Sequence, residues 1–309
     1  MKRLVIPVAI LVVILVIWLI QSNIEKRQIT GRLIENYLDL NTDEITKILT
    51  ISADDTLTFK EEQGRWYFLD PQPRKADSMA VGNMISAAAT MKVGNVISEN
   101  VERQRSFLVD DSTGNLIQFF HDDDLLNEII IGKVASNRTH TYIREPGSDK
   151  VYLAEGLLTY TFRRVKSQWL DKTIFSIDPR AISEFELVYS DNSFRLKNKD
   201  MVWNVSKKPY KKSVPADTAM VNNYIGRISR LSANDFINAS DSGLMDFKNF
   251  ALKINITLID GTTQSVEFAK QNEDNSRVYC RKPDNDEIFV IYKSRFAGLL
   301  KKYSDFLSE

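Results

Sequence analysis

The chain has 309 residues, 43% hydrophobic and 27% charged, a globular composition long enough for two ordinary domains. Lys plus Arg and Asp plus Glu balance at 41 each, so no global field draws it to nucleic acid, and a charged partner must be met by a local patch. A single cysteine, Cys280, excludes an intramolecular disulfide and a cysteine-built zinc or iron–sulfur cluster, and two histidines, His121 and His140, leave little for acid–base or metal chemistry near neutral pH, so no metal or cofactor is expected.

Leu4 to Ile20, LVIPVAILVVILVIWLI, is an uncharged apolar run of 17 residues. As a helix it is about 26 Å long, near the lower limit for spanning a bilayer core. Pro7 falls in its first turns, where a helix tolerates proline, and Trp18 sits near its far end. QSNIEKR follows, not the small residues of a signal-peptidase site, so residues 1–20 are expected to be an uncleaved transmembrane anchor. Lys2 and Arg3 favour a cytoplasmic N-terminus and a body on the outer side, although Lys26, Arg27 and Arg32 reduce the asymmetry. Residues 21–42 read as a polar stalk.

Beyond the stalk the chain repeats itself. EITKILTISADDTLTFKEEQGRWYF (44–68) overlays AISEFELVYSDNSFRLKNKDMVWNV (181–205) at an offset of 137, placing Ile45 on Ile182, Leu57 on Phe194, Phe59 on Leu196 and Trp66 on Trp203. Asp54-Asp55 and Asp191-Asn192 supply turn residues between strand-like runs. The block 75–98 overlays 215–238 at an offset of 140, the extra residues falling in KKPYKKSVP. Val81, Met84, Ile85, Ala88 and Met91 keep helical spacing, as do Val221, Tyr224, Ile225, Ile228 and Leu231, with Asp77 and Asp217 at the N-cap positions. NLIQFFHDDDLLNEIIIG (115–132) and KINITLIDGTTQSVEFAK (253–270) read as paired hairpins. At 137 again, TYIREPGSDKVYL (141–153) meets VYCRKPDNDEIFV (278–290).

Each copy is therefore three strands, a long helix, four strands and a short helical tail. The predicted class is α+β: an N-terminal transmembrane helix followed by two tandem copies of a mainly antiparallel sheet-plus-helix unit. Copy 1 covers 43–161 and copy 2 covers 180–309. FRRVKSQWLDKTIFSIDP (162–179) joins them and is too apolar, with too little Gly and Ser, for a flexible linker.

In order and spacing, EITKI, GRWYF, KADSMAV, YIREP and WLDKTIFSIDP resemble the bacterial family known as domain of unknown function 4340. The resemblance implies a bacterial envelope protein of the inner membrane, associated with the membrane subunits of ABC-type transport systems similar to gliding-motility transporters. It carries no catalytic residues. A Tyr-Gly-Leu-Asp-like turn that the family shows after the helix is echoed by Gly243, Leu244 and Asp246, whereas copy 1 reads Ser106-Phe107-Leu108-Val109-Asp110 and lacks the glycine.

Three groups are candidate contacts. Tyr142 and Arg144, with their equivalents Tyr279 and Arg281, sit two apart and share a sheet face, either as aromatic packing with a neighbouring arginine or as paired ligand contacts. Lys207, Lys208, Lys211 and Lys212 form a basic run suited to anionic headgroups or an acidic partner, or simply an exposed loop. The acidic run His121 to Asp124 lacks the alternation and terminal glutamate of a calcium loop and reads as a hairpin turn. No G-x-S-x-G, P-loop or G-x-G-x-x-G occurs, so a non-enzyme is expected. The leading function is a tethered accessory subunit of a transporter. The alternatives are a binding module for an envelope glycan, lipid or peptide, and a hydrolase, which would need a paired carboxylate site that no spacing here supplies.

Overall fold

The computed structural model describes residues 13, 15–16, 33–69, 73–237, 245, 247–270, 276–283 and 287–308. Turn chemistry sets the first hairpins. Strands β1 (Lys47–Ile51) and β2 (Thr56–Glu62) flank the Asp54-Asp55 turn, and β3 (Arg65–Leu69) follows a turn with Gln63 and Gly64 at φ 55° and 78°. Two successive left-handed residues are what a type I′ hairpin requires. A short β4 (Pro73–Lys75) leads to helix α1 (Ser78–Ala89), and β5 (Val93–Ser98) and the one-turn α2 (Gln104–Phe107) come next. The unit continues with β6 (Asn115–His121), β7 (Asp124–Val134), β8 (His140–Arg144), β9 (Val151–Glu155) and α3 (Leu158–Phe162).

The second unit repeats the order: β10 (Ile182–Val188), β11 (Phe194–Lys199), β12 (Val202–Lys207), β13 (Ser213–Pro215), α4 (Thr218–Ile228) and β14 (Asp235–Ile237). Then come β15 (Leu252–Leu258), β16 (Thr263–Phe268), β17 (Arg277–Arg281), β18 (Ile288–Tyr292) and α5 (Lys293–Ala297).

Each unit is one nine-stranded antiparallel sheet, ordered β4-β3-β2-β1-β6-β7-β8-β9-β5 in the first and β13-β12-β11-β10-β15-β16-β17-β18-β14 in the second. The orders are identical element for element, so the duplication read from the sequence is a duplication of topology. Two meanders meet at β1 and β6, and the long helix carries the chain from one edge to the other. A buried row crosses each sheet: Phe68, Phe59, Ile48 and Phe119 in the first, and Val205, Leu196, Phe185 and Ile256 in the second, paired strand to strand at aligned positions. Helix α1 buries Ala80, Val81, Met84, Ile85 and Ala88, and α4 buries Val221, Tyr224, Ile225 and Ile228, the stripe that helical spacing predicts.

Asp77 accepts from the backbone of Met79 and Ala80 at 2.9 and 3.1 Å, and Asp217 from Ala219 and Met220 at 2.8 and 3.1 Å. Asp77→Ala and Asp217→Ala should each cost about 1 kcal/mol, confined to their own unit. Urea denaturation with amide exchange of the two helices checks this.

Three features differ from the expectation. The block 75–98 is not helical throughout: α1 ends at Ala89, and β-branched Val93, Val96 and Ile97 form β5, an edge strand against β9. Residues 33–41, read as stalk, fold onto the first unit. Ile34 bridges Val93, Tyr37 N–H donates to Met91 O at 2.9 Å, and Leu38 is buried.

The joining segment is shared out, because the first compact unit runs to Asp171 and the second starts at Lys172. Trp169 O accepts from Asp77 N at 2.7 Å and Leu170 bridges Ala76, closing the first unit. Phe306 O accepts from Asp217 N at 3.0 Å and Leu307 bridges Ala216, the same closure at aligned positions in the second. Ile174 and Phe175 are core residues of the second unit, which explains why the segment is apolar.

The anchor read over Leu4 to Ile20 lies outside the described residues, except for Val13, Leu15 and Val16, which are helical. Among the described residues no helix is long and apolar enough to cross a membrane.

Candidate functional site

Strand alternation separates the Tyr-x-Arg residues from the helix-facing core. Val278 and Cys280 pack with Tyr224 and Ile225 of α4, so Tyr279 and Arg281 point the other way. Burial pushes the Cys280 thiol well above its usual range, leaving an inert apolar side chain. In the first unit Tyr142 and Arg144 face away from the helix into a second, smaller core with Val109, Ile130, Val151 and Leu153. Tyr142 packs against Phe107 with ring centroids 4.5 Å apart and planes tilted by 34°.

Arg144 is 3% exposed and works as a clamp. Its Nε donates to Val109 O at 2.6 Å and its Nη1 to Ser148 O at 3.0 Å, while Nη2 pairs with the exposed carboxylate of Asp111. One guanidinium thus ties the 107–111 segment to the β8–β9 turn. That segment lies so close to β7 that a Cβ on Gly132 would stand 2.5 Å from both Phe107 O and Val109 Cγ1. The turn formed without the family's glycine puts Leu108 in the left-handed region at φ 57°. Gly243, Leu244 and Asp246 lie outside the described residues.

The second unit treats the aligned arginine differently. Arg281 pairs with Glu267 Oε2 through Nε and Nη2, both at 3.2 Å, Lys253 meets Glu267 Oε1 at 3.0 Å, and Phe247 lies 4.5 Å under the guanidinium. Glu267 stands opposite Arg281 as Ile130 stands opposite Arg144, and Lys253 opposite Glu267 as Leu116 opposite Ile130. The countercharge for the arginine has moved from a loop to the neighbouring strand. The structure therefore does not bring Tyr142, Arg144, Tyr279 and Arg281 into two equivalent sites.

Beside the Arg144 clamp a cleft of about 280 Å³ opens among Ile51, Ala53, Asp110, Asp111, Leu116, Ile130 and Gly147. Its rim depends on Asp110. Burial raises the Asp110 pKa, but bonds from the side chains and backbone of Ser112 and Thr113 outweigh it and hold the carboxyl at about 2. The folded value lies below the unfolded one, so the contribution is complete above pH about 4 and lost as pH falls through 2. An Asp110→Asn variant should show a shallower loss of stability between pH 4 and 2 in acid titrations followed by circular dichroism.

Lys207, Lys208, Lys211 and Lys212 are all exposed. Between them Tyr210 is pinned to the sheet: its hydroxyl donates to Glu186 Oε1 at 2.5 Å, and the Arg195 guanidinium covers its ring at 4.3 Å. Burial, then the bond to Glu186, pushes the phenol up to about 12, so it remains a donor at neutral pH. The loop displays its cations around a fixed aromatic hub, a hub that the lysine run alone does not reveal. His121 to Asp124 turn from β6 to β7 with Asp122 at φ 51° and Asp123 paired with Lys47 at 2.5 Å, a hairpin turn as read. Among the described residues no group of His, Cys, Asp and Glu is placed to hold a metal.

The family model described as domain of unknown function (DUF4340) matches residues 66–249 and again 214–309. No curated protein and no solved structure matches the chain.

Proposed function

Because the chain belongs to the DUF4340 family, we propose that it acts without catalysis as a single-pass envelope protein, holding its two sheet units beside the membrane subunits of an ABC-type transport system. Leu4 to Ile20 would be the anchor in the bacterial inner membrane, with the units on the outer side. Tethering raises the effective concentration of a weak contact, so modest surface complementarity suffices. The observation that carries the reading is the 207–212 loop, whose four exposed lysines are presented by a hydrogen-bonded tyrosine. Such a loop suits an acidic partner surface. Photo-crosslinkers at Lys208 and Lys211 in native membranes should capture a transporter membrane subunit. Lys207→Glu with Lys212→Glu should weaken capture without moving the melting transition. Abundant protein giving no adduct from either position would overturn the reading.

The cleft of about 280 Å³ beside Arg144 favours a second reading, a binding module. Its size is just under the usual range for small-molecule pockets, roughly 300–1,000 Å³. It would take a small apolar group carrying a positive charge toward Asp111.

A further inference from the structure

The end of the first unit that carries α3 shows apolar surface that the fold does not require. Leu157, Tyr160 and Val165 are 42%, 69% and 65% exposed. The aligned positions of the second unit hold Ser294, Ala297 and Lys302, so the same topology is built there without large apolar side chains at these three places, although Tyr292 and Leu300 are exposed beside α5. Arg138 and Arg163 are exposed at this end too, and Arg138, Leu157 and Tyr160 line one open depression of about 610 Å³. Two acidic side chains lie nearby, Glu35 and Glu155: Lys92 pairs with Glu35 at 3.0 Å and also feels the charge of Glu155. Large apolar side chains interleaved with arginines match a surface that is apolar below and anionic above.

The chain also arrives here. Ile34 pairs with Val93 and Val93 with Ala154, so the first described strand contact lies two ladder spacings, about 10 Å, from Ala154. Leu157 follows three residues later. Residues 21–32, between the apolar run and the unit, reach at most about 40 Å when fully extended.

We propose that this surface seats on the anionic headgroup layer of the membrane that anchors the chain, with Leu157, Tyr160 and Val165 at interfacial depth and Arg138 and Arg163 against lipid phosphates. This rests on the anchor reading of Leu4 to Ile20. The seating turns a tether into a defined posture, with the α3 end of the first unit against the bilayer. Lipid phosphates add attraction for each arginine within a Debye length of the surface.

The test uses the full chain in vesicles, with a nitroxide on Tyr160→Cys and a control nitroxide on Met201→Cys, a position 93% exposed. Cys280, fully buried, stays in place. In vesicles of phosphatidylethanolamine and phosphatidylglycerol, accessibility to a water-soluble nickel chelate should be at least ~3-fold lower at 160 than at 201. The difference should shrink in phosphatidylcholine and with Arg138→Glu plus Arg163→Glu. Equal accessibility at both positions in anionic vesicles would overturn the proposal. So would lipid-independent dipolar broadening at 160, which would mark a second copy as the occupant. An alkaline carbonate wash judges the anchor separately: a chain that washes off fails the anchor reading, while depth recorded before the wash still judges the surface.

Discussion

Replacing Trp169 with alanine is expected to destabilise the first unit by about 3–5 kcal/mol, the range for emptying a fully buried large aromatic site. Trp169 has no exposed surface, meets Phe59 edge-on at 5.0 Å, and carries the Arg164 guanidinium 5.1 Å from its ring. Its carbonyl accepts from the N-cap residue Asp77, so the cavity would open beside the start of α1. Trp169→Phe should recover most of the loss, because the second unit closes with Phe306 at the aligned position. Phe306→Ala should cost a similar amount there, since Phe306 touches Phe185, Phe194 and Tyr224. Guanidinium denaturation with unit-by-unit hydrogen exchange distinguishes the two. A Trp169→Ala loss below about 1 kcal/mol, or one felt only after residue 171, would contradict the closure described for the first unit.

The second large effect separates the two arginines. Arg144→Met should cost about 2–4 kcal/mol, because buried Val109 O would lose its donor and part-buried Ser148 O would keep only the longer bond from Gln104 Nε2 at 3.4 Å. Asp111, already in solvent, contributes little to that loss. Lysine should not rescue, since one ammonium cannot reproduce the fork that reaches a loop, a turn and a carboxylate. Arg281→Met should cost no more than about 1 kcal/mol, because its side chain is 41% exposed and Lys253 still faces Glu267. Urea midpoints of the two variants, with amide protection of residues 107–113, make the comparison. Equal costs would mean that the arginines share one role and that the clamp is misread.

Much of the architecture was legible along the chain. Strand alternation, the helical stripe, the aspartate caps and the turn residues are local signals, and their recurrence 137 to 140 residues later revealed the duplication. Less was legible where a signal served two ends at once. WLDKTIFSIDP reads as one apolar joining segment, yet Trp169 completes one core and Ile174 begins the next. The Tyr-x-Arg pairs read as equivalent, and their neighbours in sequence hold no sign of the difference. Arg144 meets a loop residue 33 positions away and Arg281 a strand residue 14 away.

By itself the sequence determined the repeated unit, the face each strand and helix buries, and the apolar run at its start, because these follow from spacing along a few residues. Tertiary structure alone decided that β5 and β14 sit at the far edge of their sheets, that Arg144 is a buried clamp while Arg281 is a half-exposed pair, and that Tyr210 fixes the lysine loop. Each of those depends on which distant strand lies alongside. That neighbour is chosen by the burial of a whole sheet face under one helix, a quantity no local window contains.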